Sequence, residues 1–436
     1  MQTLAEVHIW GELAGALAYD PVTQISTFEY SPQWLAGGVE IAPLHMPLST
    51  QLYQFPGLNP ETYKGLPAIL ADTLPDDFGN AVINAWLVRQ GRDIHSFNAL
   101  ERLLYTGSRG MGALEFAPVI SDKSVTADQL ELESLVEMAQ KILDQRNSNA
   151  FQMAGDEYNN DAMSAMFQVG TSAGGARAKA LVAVNKNRSR LCSGQVDAPP
   201  GYEHYLLKFD GVEEHKTSSQ VFGDPKGFGR MEYAYYLMAK DVGINMSPSE
   251  LLLDGERAHF MTRRFDRIEN EKLHYVSLCA MDHADYAKAG AYSYEQLLSV
   301  ARQLKLPRAD AVEIFRRMVF NVISRNHDDH TKNTGFLLDQ NTLQWRLSPA
   351  FDLAYSFKPH SPWVSSHQMT INGKRDGFSR DDLLLVSEHI GNFKKEAKKI
   401  IDEVSLVVSN WNSYADRAGV FQTFISEIKK NHRVIA

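Results

Sequence analysis

Asn326-His327-Asp328-Asp329-His330-Thr331-Lys332-Asn333 is the stretch on which the reading of this chain turns. Just before it, Ala309 to Arg325 predicts an amphipathic helix, with Val312, Phe315, Met318, Val319, Val322 and Ile323 on one apolar face. Just after it, Thr334 to Leu338 and Leu343 to Leu347 flank the turn-rich Asp339-Gln340-Asn341 and predict a hairpin. Ser348-Pro349-Ala350-Phe351-Asp352 follows at once. The order is helix, polar loop with Asp and Asn, hairpin, second Asp.

Phosphoryl transfer from ATP uses parts in that order. One carboxylate orients the attacking hydroxyl and accepts its proton, while an amide oxygen and a second carboxylate hold Mg²⁺ against the phosphates. Asp328 precedes Asn333 by five positions, the spacing of H-R-D-L-x-x-x-N in protein kinases, and Asp352 takes the place of the Asp in D-F-G. Two blander readings compete. The loop can be a solvated connection. Alternatively, His327-Asp328-Asp329-His330 resembles the His-Asp pair of metal phosphohydrolases. A metal cage needs further ligands at informative spacing, and His204, His215, His274 and His283 are scattered.

A kinase-like reading also asks for a phosphate cradle and a lysine upstream. Gly170 to Lys179 (G-T-S-A-G-G-A-R-A-K) lies between two expected strands, Ala165 to Val169 and Ala180 to Val184. Its glycines let backbone N–H groups approach phosphate oxygens. A plain tight hairpin is the competing reading, since no G-K-[ST] ends the stretch. Tyr205-Leu206-Leu207-Lys208-Phe209 sets a lysine in an apolar strand, as a solvated edge residue or as a cation for the phosphates. In the second case it needs an anionic partner. Glu232 is the candidate, on a helix from Met231 to Val242 and about 100° from the stripe of Met231, Ala234, Tyr235, Met238 and Val242.

Composition sets the limits. At roughly 150 residues per domain, 436 residues make two or three domains. Two cysteines, Cys192 and Cys279, exclude a disulfide scaffold and a cysteine-rich zinc module. Lys plus Arg is 44 and Asp plus Glu 53, a net charge of −9 that argues against gripping DNA unaided. Mean hydropathy is −0.30, no apolar run approaches the roughly 18 residues of a membrane span, and the first residues lack the pattern of a secretory signal. The expected setting is cytoplasmic, with no membrane.

Strands are expected at Glu6 to Ile9 and Ile25 to Tyr30, turns at Gly11 to Gly15, and helices at Asp76 to Gln90 and Gln129 to Arg146. Ser121 to Asp128 and Asn147 to Asp161 read as polar connections. From Met163 to Val276 strands dominate around one strong helix; from Tyr292 helices dominate. The fold class is therefore α+β: a two-lobed protein-kinase-like core behind a small strand-rich N-terminal domain, with ligand expected in the cleft between lobes. The expected divisions are 1–120, a helical linker 121–162, a smaller lobe 163–276 and a helical catalytic lobe 277–436.

These stretches together resemble the HipA family of bacterial toxin kinases across most of the chain. The resemblance is carried by G-S-R-G-M-G-A-L-E-F-A-P at Gly107 to Pro118, the Gly-rich loop at Ser172, H-Y-L-L-K-F at Lys208 and M-E-Y-A-Y-Y-L-M-A-K-D-V-G at Glu232. R-R-F-D-R at Arg263 to Arg267, H-D-D-H-T-K-N and L-S-P-A-F-D complete the core set, which is specific in that order. W-L at Trp34, M-P-L-S at Met46 and L-A-D-T-L-P-D-D-F-G at Leu70 to Gly79 look like the family's N-terminal domain.

The resemblance implies a serine/threonine protein kinase using ATP and Mg²⁺. It implies an aminoacyl-tRNA synthetase as protein substrate, a small helix-turn-helix antitoxin of HipB type as partner, and operator DNA bound only within that complex. Carried over by position, Asp328 is the catalytic Asp and His330 the His of its loop, and Asn333 and Asp352 are the Mg²⁺ ligands. Lys208 and its partner Glu232 serve ATP, and Gly174, Gly175, Ala176, Arg177, Ala178 and Lys179 form the phosphate-contacting turn. Arg263, Arg264 and Phe265 match the segment that meets adenine, mainly through backbone, and Phe351 joins the ATP-binding set. Ser172 matches the autophosphorylated serine, with Thr171 as neighbouring alternative. Asp329 departs from the family's small residue, an extra carboxylate placed to assist metal binding or to repel phosphate. The competing functions are a lipid or small-molecule kinase and a catalytically silent partner of a DNA-binding repressor.

Overall fold

The computed structural model describes residues 2–120, 129–145, 160–170, 177–213 and 223–435. The chain divides into two compact units: Met1–Glu40, Leu48–Gly229 and Glu250–His274 form the first, and Ile41–Pro47, Arg230–Ser249 and Tyr275–Ala436 the second.

The first unit opens with a four-stranded antiparallel sheet in the order β3-β2-β1-β4, from β1 (Leu4–Ile9), β2 (Glu12–Asp20), β3 (Ile25–Tyr30) and β4 (Leu114–Ala117). The turns expected at Gly11 to Gly15 are corrected here, because only Trp10 and Gly11 turn and Glu12 already belongs to β2. Gly15 serves close approach instead: a Cβ there would meet the Glu29 carbonyl oxygen at 2.2 Å.

A five-stranded sheet follows. β5 (Lys179–Asn185) lies between β6 (Leu191–Ser193) and β7 (Tyr202–Lys208), and the strands Arg257–Arg263 and Ser249–Asp254 extend it beyond β7. Side chains alternate across the pleat. Ala180, Val182, Val184, Tyr205, Leu207 and Met261 therefore share one face, and they pack in one apolar core with buried residues of the helices Asp77–Arg89, Leu132–Gln145 and Asn160–Val169. The strand expected at Ala165 to Val169 is thus the last half of a helix. Met166 and Val169, three apart, are both buried, which is helical spacing.

The second unit is mainly helical around the Arg308–Ser324 helix, whose expected apolar face is buried throughout. A three-stranded sheet orders His274–Ser277, Gly335–Leu338 and Trp345–Leu347, the last two paired as the expected antiparallel hairpin. The helix also places the hairpin's exit: Asp310 Oδ2 accepts from Leu347 N at 3.0 Å, and Arg317 Nη2 donates to Ser348 O at 2.9 Å. No helix among the described residues is long and apolar enough to cross a membrane.

Candidate active site

The Arg308–Ser324 helix ends because Arg325 turns left-handed, with φ 60° and ψ 39°. Glycine usually takes that position. Here Arg325 Nε donates to Asn431 O at 2.7 Å, and the guanidinium lies over the Phe357 ring at 4.5 Å. The chain then runs parallel to the stretch around Ser356 through a bridge at Asn326. His327 is buried and donates from Nδ1 to Val364 O at 3.2 Å. Burial, and after it His367 and Arg325, pushes its pKa down to about 2, so the ring is neutral.

The two adjacent aspartates face different surroundings. Asp328 keeps a side chain 31% exposed. Its Oδ1 accepts from Trp363 Nε1 at 2.6 Å, and His330 Nε2 stands 3.7 Å away. Asn333 Nδ2 donates to the Asp328 backbone carbonyl at 2.8 Å across a single 3₁₀ turn, which leaves the Asn333 amide oxygen as an acceptor. Asp329 turns inward. Its Oδ2 accepts from Tyr294 Oη and His367 Nδ1, both at 2.9 Å, and its Oδ1 from Gln368 N at 2.8 Å. The extra carboxylate expected beside the site is therefore a buried brace held on both oxygens by three donors.

Asp352 follows the hairpin with φ 57°, a left-handed backbone that Asp tolerates better than most residues. Ala350 N, just upstream, donates to Asn245 O at 2.7 Å. Asn333 and Phe351 line one cavity of about 20 Å³ together with Tyr294, Arg317 and Asn321, space for about one water. Asp328, His330 and Asn333 thus share a loop, and Asn333 shares a cavity wall with the residue next to Asp352. Glu232 belongs to the same unit and is buried in the Phe228–Asp241 helix.

Lys208 lies in the first unit. It ends β7, buried, with Nζ 5.8 Å from the Phe260 ring centre. Its register partner across β5 is Lys179, also buried. Like charges directly opposite in a sheet repel. Lys179 answers this with Asp76, whose Oδ2 lies 2.9 Å away while Oδ1 caps the Asp77–Arg89 helix through Gly79 N at 2.6 Å. Lys179 is thus a strand residue tied to the N-terminal part of the chain; Arg177 and Ala178 lead into it. Ser172, Gly174, Gly175 and Ala176, and the alternative Thr171, lie outside the described residues.

R-R-F-D-R does more than the sequence suggested. Arg263 is exposed and pairs with Glu203 at 3.2 Å, and Arg264 N donates to His204 O at 2.9 Å. The Arg264 side chain is turned inward onto Asp266, with Nε–Oδ1 2.9 Å and Nη2–Oδ2 2.7 Å. Arg267 and Gly112 N also donate to Asp266, at 2.7 and 2.8 Å, and both arginines reach the Gly110 carbonyl. Phe265 stands half-buried between these groups in the chain. Burial alone would raise the Asp266 carboxyl, but the guanidiniums of Arg264 and Arg267 hold it well below the usual carboxylate range. The Arg264 side chain is therefore part of a structural knot that seats the Gly107 to Pro118 segment.

Sequence reading missed Trp363, His367, Gln368, Tyr294 and Asp76. Trp363 is 35 positions from Asp328 and Asp76 is 103 from Lys179, so no local spacing reports either pair.

Residues 5–117 match the HipA N-terminal domain, and residues 171–411 match the HipA-like C-terminal domain. A Haemophilus influenzae protein named "Putative kinase" is 31% identical over 204 residues, which cover 40% of this chain and 59%, under two thirds, of that relative. Among solved structures, HipA of the Shewanella oneidensis MR-1 toxin-antitoxin system, in complex with HipB and its operator DNA, aligns with a TM-score of 0.67. That alignment has 16% identity and covers 98% of this chain and 95% of that one, a likeness of fold. With one family model matching more than half of its residues and a second matching its N-terminal part, this chain belongs to the HipA family.

Proposed function

We propose that this chain is the kinase toxin of a HipBA-like toxin-antitoxin pair, transferring the γ-phosphoryl group of Mg-ATP to a serine or threonine hydroxyl on a protein. The observation that carries the reading is the Asp328–Asn333 loop. It offers a partly exposed carboxylate, fixed on one oxygen and braced from behind, five residues from an amide tied to its own backbone.

Asp328 orients the acceptor hydroxyl and takes its proton as the new O–P bond forms and the bond from the γ-phosphorus to the β–γ bridging oxygen breaks, releasing ADP. His330 flanks that carboxylate. The Asn333 amide oxygen and the Asp352 carboxylate are hard oxygen donors, the kind Mg²⁺ takes alongside phosphate and water. The fixed amide of Asn333 and the left-handed backbone at Asp352 support that assignment. When bound, the ion would neutralise charge on the phosphates. Lys208 supplies positive charge to the phosphates. Glu232, Arg177, Phe351 and the backbone of Arg263 to Phe265 are assigned to the nucleotide, and Ser172 to autophosphorylation. The relative named as a kinase supports the activity. The relative bound to HipB and operator DNA supports a HipB-type partner, through which an acidic chain reaches DNA.

Incubation with radiolabelled ATP and candidate aminoacyl-tRNA synthetases tests this. Label on a synthetase from wild type and none from Asp328→Ala supports the proposal. No transfer by wild type, or equal transfer by both, refutes it. Phosphopeptide mapping of the same samples assigns or removes Ser172.

A further inference from the structure

We infer that Trp363 is a positioning residue for Asp328, its indole N–H holding one carboxylate oxygen so that the other stays free for the acceptor hydroxyl. The inference rests on the kinase reading. The Nε1–Oδ1 distance is 2.6 Å, a short charge-assisted bond. Among the described residues it is the one hydrogen bond the Asp328 carboxylate accepts, because His330 at 3.7 Å is beyond bonding distance. An indole N–H only donates, so it orients the carboxylate without competing for the proton.

The indole is itself held. The backbone N–H groups of Trp363 and Val364 both donate to Ser361 Oγ at 3.2 Å. The Trp363 carbonyl accepts from Gln368 Nε2, and the Gln368 backbone N–H donates to Asp329 at 2.8 Å. Asp328 and Asp329 thus grip the same short segment from two sides, one through its indole and one through its backbone. The ring also packs against Tyr286 and His330, at centroid distances of 6.5 and 6.0 Å, and those two rings lie 5.6 Å apart. Rotating the indole off Asp328 would break this three-ring cluster.

The test uses the full chain, radiolabelled ATP and heat-treated lysate protein as acceptor, with thermal midpoints recorded for every variant. Trp363→Phe keeps the ring and removes the donor; Trp363→His restores an N–H. For Trp363→Phe, kcat is expected to fall about tenfold or more while the KM for ATP stays within about twofold, the pattern of a lost transition-state interaction. Trp363→His recovers most of that rate. In an Asp328→Asn background, Trp363→Phe changes the residual rate by less than about twofold, because the two residues act as one unit. Wild-type kcat in Trp363→Phe, a rate above wild type, equal loss in Phe and His variants, or the same fold-loss in the Asp328→Asn background each overturns the inference. If Trp363→Phe does not fold, Trp363→His decides alone: wild-type KM with near-wild-type kcat supports the donor role, and a tenfold loss overturns it. Absence of transfer by wild type overturns the kinase reading, and this inference with it.

Discussion

Asp266 and Asp328 are each central to a polar motif in this chain, yet they do opposite work. Asp266 is fully buried and takes donors from Arg264, Arg267 and the Gly112 backbone. Asp328 is part-exposed and, among the described residues, takes a single indole donor. A buried carboxylate bonded on both oxygens offers neither to a substrate; its charge holds two segments of one unit together. A carboxylate held on one oxygen can still accept a proton from a substrate. Asp329, next to Asp328, repeats the contrast at one residue's remove, since its three donors make it a brace. Charged motifs are therefore told apart by how many of their acceptor sites the fold fills.

The widest gap between the two kinds is expected in rate. Asp328→Asn, which keeps shape and loses the proton acceptor, lowers phosphoryl transfer by about a hundredfold or more, with an unchanged denaturant midpoint. Loss of stability without loss of rate per folded molecule would reverse the comparison.

Asp266→Asn is expected to do the converse. Removing one member of a buried ion cluster strands the guanidiniums of Arg264 and Arg267, at a cost of about 3–5 kcal/mol in urea unfolding. ATP-dependent labelling per folded molecule stays near wild type.

Asp329→Asn lies between. It keeps the Gln368 contact and weakens those to Tyr294 and His367, at a cost of about 1–3 kcal/mol. Rate falls only as far as the Asp328 loop loosens, and an Asp329→Asn variant as inactive as Asp328→Asn would return Asp329 to the chemistry.

The smallest effect is in acid. The folded pKa of Asp266 is held below its unfolded value. Its contribution is full above about pH 4 and is lost as pH falls toward the folded pKa. Wild type should therefore lose stability more steeply than Asp266→Asn as pH drops below about 4, read from urea midpoints across that range. Parallel curves would show that the cluster contributes no proton linkage.

Much of this was legible in the residues themselves. The Arg308–Ser324 helix announces itself through the helical spacing of its apolar residues, the hairpin through two short apolar runs flanking a turn, and β7 through a short apolar run. The loop between helix and hairpin could be read because Asp328 and Asn333 are bonded within one turn, so their relation is a spacing. Where periodicity was short it misled: Ala165 to Val169 is apolar enough for a strand, and only its packing against the Leu132–Gln145 helix and β5 makes it helical.

Linear order and residue type were enough to nominate Asp328, Asn333 and Asp352 and to assign the HipA family. They were not enough to say which of two neighbouring aspartates faces solvent, what holds Asp328, or that Lys179 answers to Asp76. Those are contacts between residues tens to a hundred positions apart. A carboxylate's chemistry depends on which of its lone pairs remain unfilled, and only the packed chain settles that.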